Sequence, residues 1–279
     1  MARTIGETLR SATAGLMGVS GSPRLDSQLI LGHVLGQPRE YLIAHPERDL
    51  SPVEDMTFAK LLTLRQKGMP LAYILGHRPF FDREFTITPS VLIPRPETEH
   101  LVEAAIAWGA DRGAVRVVDV GTGSGVIALS LAAHLPAATV VATDISAGAL
   151  AVARHNGAGL SNIYYVQTDL LQALHGPIDL ICANLPYIAT GELNILEVAK
   201  FEPRVALDGG SDGLRLIRRL LTQAPERLAR PGLLLLEIGA DQGAAVERLA
   251  QTAFPNGTVR VLKDYGGLDR VVSVLNSHG

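Results

Sequence analysis

Val118-Asp119-Val120-Gly121-Thr122-Gly123-Ser124-Gly125 is an apolar run that ends in alternating glycines. Its valines favour a buried strand, read here over residues 115–120. Glycines directly after a strand let the backbone turn sharply and approach a ligand closely. The apolar residues that follow predict a helix over 124–134. Strand, glycine turn and helix together form the opening unit of an α/β layer, with an anion- or nucleoside-binding turn between them. Gly123 to Ala128 also fits G-x-G-x-x-A, the dinucleotide fingerprint, but a tight turn without ligand has the same appearance.

Downstream, the alternation continues. Strands are predicted at 139–143, 163–167, 178–183 and 233–238, and helices at 147–156, 212–229 and 242–250. The closing strands, 259–263 and 270–275, are joined across Gly266-Gly267. So short a connection joins only antiparallel strands, because a parallel crossover needs a dozen or more residues. The expected architecture is a seven-stranded mixed sheet with helices on both faces and its last strand antiparallel.

Upstream, the texture differs. Ile5, Leu9 and Leu16, then Leu25, Leu29, Ile30, Val34 and Leu35, recur at helical spacing, and Gly36 supplies a stop. Residues 1–17 read as a first amphipathic helix rather than a targeting segment. Ser51-Pro52-Val53-Glu54 is a capping box with proline at the first helical position. A small helical bundle is expected over 1–74. Phe80, Phe81, Phe85 and Ile87 around Asp82-Arg83 suggest a hairpin within an ordered linker, 75–96, and a helix runs from Glu97 to about Trp108. The second domain is expected over 97–279.

Composition narrows the function. Of 279 residues, 47% are hydrophobic and 19% charged, which supports a packed core and argues against disorder. The net charge of −3 argues against a protein held mainly by nucleic-acid phosphates. The lone Cys182 excludes an intramolecular disulfide and a cysteine-rich zinc site. No apolar run approaches the ~18–20 residues of a membrane helix. The histidines show no metal-ligand spacing, so no metal is expected. Asp208-Gly209-Gly210-Ser211-Asp212-Gly213 has the look of a calcium loop but lacks its closing glutamate, and reads as a structural loop near the site.

Chemistry is expected at the strand tips. Asp144 closes the second strand about 25 residues after Asp119, where a carboxylate can accept both hydroxyls of a ribose. NAD and S-adenosylmethionine share such a ribose. Asp169 can accept from an adenine amino group while Leu170 covers the ring, or Asp169 can cap a helix. The fourth strand runs into Asn184-Leu185-Pro186-Tyr187. The Asn184 side-chain carbonyl and the Leu185 backbone carbonyl, directed by the following proline, supply two acceptors for a planar NH2 group, and Tyr187 can pack against its plane. Arg95, between two prolines, can steer substrate or pair with Glu97 or Glu99.

With these segments in place, the chain resembles the class I S-adenosylmethionine-dependent methyltransferases of Rossmann-like fold. Among them it resembles the HemK/PrmC-type glutamine methyltransferases of peptide chain release factors. The resemblance is carried by Pro70-Leu71-Ala72-Tyr73-Ile74-Leu75-Gly76, by Ile93-Pro94-Arg95-Pro96-Glu97-Thr98-Glu99 and by the glycine loop. Phe201-Glu202-Pro203, Leu236-Glu237-Ile238-Gly239 and Gly267-Leu268-Asp269-Arg270-Val271 add to it. It implies that Gly121, Thr122, Gly123, Ser124 and Gly125 hold the methionine part of S-adenosylmethionine. Asp144 would hold the ribose, Asp169 and Leu170 the adenine, and Asn184 to Tyr187 the glutamine amide, where transfer takes place. The implied partner is a class 1 release factor, met in the cytoplasm by a monomeric enzyme without stable nucleic-acid or membrane binding. The family's usual tetrapeptide is Asn-Pro-Pro-Tyr, and Leu185 here replaces the first proline while keeping the needed carbonyl. A ribosomal-protein glutamine methyltransferase and an adenine-N6 methyltransferase are the nearest alternatives, since adenine also presents a planar NH2. A nicotinamide oxidoreductase would have no use for the tetrapeptide.

Overall fold

Residues 3–277 are described in the computed structural model. The chain divides into two compact units, Met1–His77 and Arg78–Gly279.

The first unit holds α1 (Ile5–Gly15), α2 (Pro23–Leu35), α3 (Arg39–Ala44), α4 (Pro52–Gln66) and α5 (Leu71–Leu75). Its termini are chemically marked. Ser51 and Glu54 form the expected reciprocal capping box, and Thr4 and Glu7 form a second one that starts α1. Gly36 ends α2 in the left-handed conformation, with φ 60°. Ile5, Ile30, Leu31, Leu42, Leu50 and Phe58 make its core. The short helices α3 and α5 carry too few periodic residues to have been legible. The predicted first helix spans 1–17, and residues 1 and 2 of it lie outside the described residues.

The second unit contains β1 (His77–Phe80, its first residue shared with the boundary) and β2 (Arg83–Thr86), which pair as the expected hairpin. Then follow α6 (Glu99–Gly109), β3 (Arg116–Val120), α7 (Val126–His134), β4 (Thr139–Asp144), α8 (Ala147–Asn156), β5 (Ile163–Gln167) and β6 (Ile178–Ala183). The chain closes with α9 (Arg215–Gln223), β7 (Leu228–Glu237), α10 (Gly243–Ala253), β8 (Thr258–Lys263) and β9 (Asp269–Asn276).

The seven-stranded sheet has the order β5-β4-β3-β6-β7-β9-β8. Strands β5 to β7 pair in parallel, and β9 runs antiparallel to both neighbours. The last strand is therefore the antiparallel one, but it sits second from the edge, because the short turn from β8 folds it back between β7 and β8. Val118, Val120, Ile181, Ala183, Leu234 and Leu236 pack with α9 and α10 residues such as Ile217, Leu220 and Val246. The alternate set, Val117, Leu180, Cys182 and Leu235, is equally buried, so both faces are covered and the central strands read as continuous apolar runs.

Three predicted elements shift their boundaries. The helix read over 212–229 stops at Gln223 and gives way to a single 3-10 turn, Ala224–Glu226, because Pro225 has no N–H to continue it. The strand read over 233–238 begins at Leu228. Ile178 N–H donates to Arg227 O at 2.8 Å, and the pairing with β6 then slips between Ile178 and Leu180 before resuming at Leu233. The helix after the glycine loop starts at Val126 instead of 124, with Gly125 at its N-cap at φ 89°.

Candidate active site

The glycine loop is stitched to the neighbouring strand. Gly121 N–H and Thr122 N–H both donate to Thr143 O, at 2.9 and 2.8 Å. Gly121, Gly123 and Gly125 have φ of 75°, 56° and 89°, a region that strains any residue with a Cβ. Beneath the loop lies Asp119, fully buried. Its Oδ2 accepts from the Thr122 hydroxyl at 2.6 Å and from Ala128 N–H at 3.1 Å, tying the loop to the first turn of α7. Burial pushes its carboxyl up to about 7, with the Asp144 charge adding to the rise. The sequence reading gave Asp119 no role; the available signal was a carboxylate inside a run of valines.

Asp144 stands at the tip of β4. Its Oδ2 accepts from Gly123 N–H at 3.0 Å and its Oδ1 from Ser146 N–H at 2.8 Å. Each carboxylate oxygen has two lone pairs, so each retains capacity to accept one more donor. Burial raises its pKa, against these bonds. Asp169 caps no helix. It pairs with Arg219 Nη2 at 2.7 Å, a partner the sequence gave no means of finding, since α9 lies 50 residues on. Leu170 is buried, with φ 53°.

Asn184 leaves β6 with its side chain anchored. Nδ2 donates to the Thr98 hydroxyl at 3.1 Å, which turns Oδ1 the other way. Leu185 is buried, and its side chain lies so close over the glycine loop that a Cβ on Gly121 would come within 3.1 Å of it. The residue that departs from Asn-Pro-Pro-Tyr thus fills space against the loop. Tyr187 O accepts from Gln242 Nε2 at 2.9 Å, and burial, with Glu237 nearby, pushes the phenol up to about 12.

The loop with the calcium look has a different task. Gly209 N–H donates to Ile188 O at 2.8 Å, and Ile188 N–H donates to Leu207 O at 3.1 Å. A Cβ at Gly209 would meet Pro186 O at 2.7 Å, and one at Gly213 would meet Tyr187 O at 2.2 Å. These glycines let the loop press onto the backbone of the tetrapeptide.

Arg95 pairs with neither Glu97 nor Glu99. Glu99 accepts from Phe81 N–H. Arg95 Nη2 instead meets Glu202 Oε1 at 2.6 Å, while Glu202 Oε2 accepts from Ile93 N–H at 3.0 Å. Sequence spacing favoured near neighbours and missed this partner.

These groups line one cavity of about 620 Å³. Gly121 to Ser124, Asp144, Asp169, Leu170, Asn184 to Pro186 and Arg95 all face it, whereas Gly125 and Tyr187 stand behind its wall. That volume suits a nucleoside-sized ligand. The spare acceptor capacity of Asp144 and the close backbone of the glycine loop fit S-adenosylmethionine, with an apolar cover in Leu170. Among the described residues no cluster could hold a metal ion, and no helix is long and apolar enough to cross a membrane.

Residues 7–76 match the PrmC N-terminal domain family, and residues 103–201 match the methyltransferase small domain family. The release factor glutamine methyltransferase of Moorella thermoacetica is 43% identical, over 96% of this chain and 95% of that protein. The release factor glutamine methyltransferase of Bordetella pertussis is 40% identical, over 92% of this chain and 96% of its own length. Among solved structures, the ribosomal protein L11 methylase of Lactobacillus delbrueckii subsp. bulgaricus superposes with a TM-score of 0.50 at 24% identity. That match covers 66% of this chain and 81% of the other, a likeness of fold.

Proposed function

The chain belongs to the release factor glutamine methyltransferase family, and we propose that it methylates the side-chain amide nitrogen of the glutamine in the Gly-Gly-Gln motif of class 1 peptide chain release factors. S-adenosylmethionine, when bound, supplies a sulfonium-borne methyl group open to in-line displacement. The single observation that carries the reading is the anchored Asn184, whose amide is committed to Thr98 on its NH2 side at the wall of a nucleoside-sized cavity.

An amide nitrogen is a weak nucleophile, because its lone pair is delocalised into the carbonyl. The protein's contribution is therefore orientation and charge. Asn184 Oδ1 and the Leu185 carbonyl accept the two protons of the glutamine NH2 and hold the nitrogen at near-attack distance. As the nitrogen gains positive character, both acceptors bind it more strongly than in the ground state, which lowers the barrier. Asp144 holds the ribose, the glycine loop the methionine part, and Leu170 the adenine, with Asp169 and its partner Arg219 beside it. The helical unit over residues 1–74 recognises the rest of the factor, so that a two-point contact selects a protein whose reacting group is small. Such a substrate places the reaction in the cytoplasm.

Adenine presents the same planar NH2; the release factor glutamine methyltransferases that are 43% and 40% identical over most of the chain support glutamine instead. The test is incubation with labelled S-adenosylmethionine and three acceptors: intact release factor, the factor with its glutamine changed to alanine, and adenine-containing nucleic acid. Mass spectrometry is expected to find the label on the glutamine alone. Label on nucleic acid, or undiminished label on the altered factor, would overturn the reading.

A further inference from the structure

Glu237 closes β7 and is 1% exposed. It does not line the cavity; it lies behind Thr98 and Asn184, which do. Both of those side chains favour its charged form, yet neither carboxylate oxygen has a partner in full hydrogen-bond geometry among the described residues. The other titratable groups facing it are Arg270 from β9, Glu97 from the turn before α6, and Tyr187 beyond the tetrapeptide. A buried carboxylate so incompletely partnered is costly, and an apolar residue of similar size would be cheaper to keep. The expense points to a task.

The chemistry of Thr98 supplies one. Its hydroxyl has one proton to give and lone pairs that accept. An ionised carboxylate can only accept. Beside an ionised Glu237 the hydroxyl proton is drawn toward the carboxylate, short of a full hydrogen bond, and the Asn184 NH2 faces the same charge, so Thr98 Oγ1 accepts from Asn184 Nδ2, the bond observed at 3.1 Å. That bond leaves Asn184 Oδ1 for the cavity. With a protonated or neutral partner at 237, the hydroxyl is free to donate to Asn184 instead, and the amide can turn its NH2 toward the incoming NH2, where donor meets donor.

We propose that Glu237 is a positioning residue for methyl transfer, acting on the Asn184 NH2 both directly and through the Thr98 hydroxyl to hold the Asn184 amide with its carbonyl toward the acceptor. This rests on the glutamine-methylating role of the site. The consequence is a rate that falls on the acid side as Glu237 takes up its proton, and burial has moved that titration up to about 7.

The test uses the full-length protein with Glu237→Gln, Thr98→Val, Thr98→Ser and the double variant Glu237→Gln/Thr98→Val. Intact release factor is the acceptor and S-adenosylmethionine binding the control for folding. Glu237→Gln is expected to lower kcat about tenfold or more, leave KM and the S-adenosylmethionine Kd within about threefold, and erase the acid limb near pH 7. Thr98→Val should reproduce part of that loss, Thr98→Ser should stay close to wild type, and the double variant should lose less than the product of the two single losses, because both groups hold the same amide. In the S-adenosylmethionine-saturated wild type, the side-chain amide NMR signals of Asn184 should shift with pH near 7, and in Glu237→Gln they should not. Wild-type kcat and an intact acid limb in Glu237→Gln, additive losses in the double variant, or Asn184 signals indifferent to pH would each overturn the proposal. The NMR arm needs no acceptor, so a wild-type protein that leaves the factor unlabelled counts against the substrate reading while Glu237 is still decided.

Discussion

Arg95 and Glu202 meet at 2.6 Å although 107 residues separate them, and the Glu202 side chain is almost wholly buried while Arg95 reaches the cavity wall. One carboxylate thereby fastens the linker, through Ile93 N–H and Arg95, to the segment that carries Arg204 and Asp208 along the same wall. Glu202→Ala should cost on the order of 3 kcal/mol, because it strands a buried N–H and leaves the guanidinium without its partner. Glu202→Gln keeps an acceptor and should cost less than half of that. Urea unfolding of the three proteins measures it; equal stabilities would show that the clasp contributes nothing.

The proposed ribose role of Asp144 is open to calorimetry. Asp144→Ala should weaken S-adenosylmethionine binding by about 2 kcal/mol, roughly thirtyfold, by removing two charge-assisted acceptors. NAD should not bind to the wild type. Tight NAD binding without S-adenosylmethionine binding would end the cofactor assignment.

Asn184→Ala should slow the chemical step by about a hundredfold or more and barely change cofactor affinity, since its proposed part is to orient the acceptor. Leu185→Pro should stay within about tenfold of wild type, roughly 1.4 kcal/mol, because the backbone carbonyl is retained. Single-turnover kinetics separates the two effects. A kinetically silent Asn184→Ala would mean that the site is wrong.

Glu237 also predicts a pH dependence of stability. Its folded pKa, about 7, lies above the ordinary 4.5 because burial opposes the charge. Between those values the folded state binds more protons than the unfolded state, so this group makes stability fall as pH rises. The penalty is absent below about 4.5 and complete above about 7, and amounts to roughly 3 kcal/mol. Glu237→Gln should therefore gain on wild type between pH 4.5 and pH 8 by about that amount in urea unfolding. A constant difference across the range would show that the carboxyl is not held in this way.

A short Gly-Gly-Gln peptide should be methylated far less efficiently than the intact factor, and removing residues 1–74 should erase most of that advantage while sparing S-adenosylmethionine binding. Comparing kcat/KM for the two acceptors, with and without those residues, is the measurement. Equal efficiencies in the full-length protein would remove the need for a second contact.

Local signals in the chain already determined the layers and the cleft. The valines before Gly121, the spacing of Asp144 from Asp119, and the tetrapeptide at the end of the fourth strand specify strand tips and a nucleoside-sized turn, because strand pairing, glycine conformations and the restriction before proline act over a few residues. The Gly266-Gly267 turn likewise sufficed to reverse the final strand. Long-range partners were a different matter. Glu202 for Arg95, Arg219 for Asp169, Thr98 and Glu237 behind Asn184, and Gly209 pressed on Pro186 are separated by tens of residues. No periodicity marks them, because what joins them is the crossing of distant loops over one sheet edge. Burial is decided there too: Asp119 and Glu237 look like ordinary acidic residues in the sequence, and only the packing of helices over both faces of the sheet takes them out of water and shifts their protons.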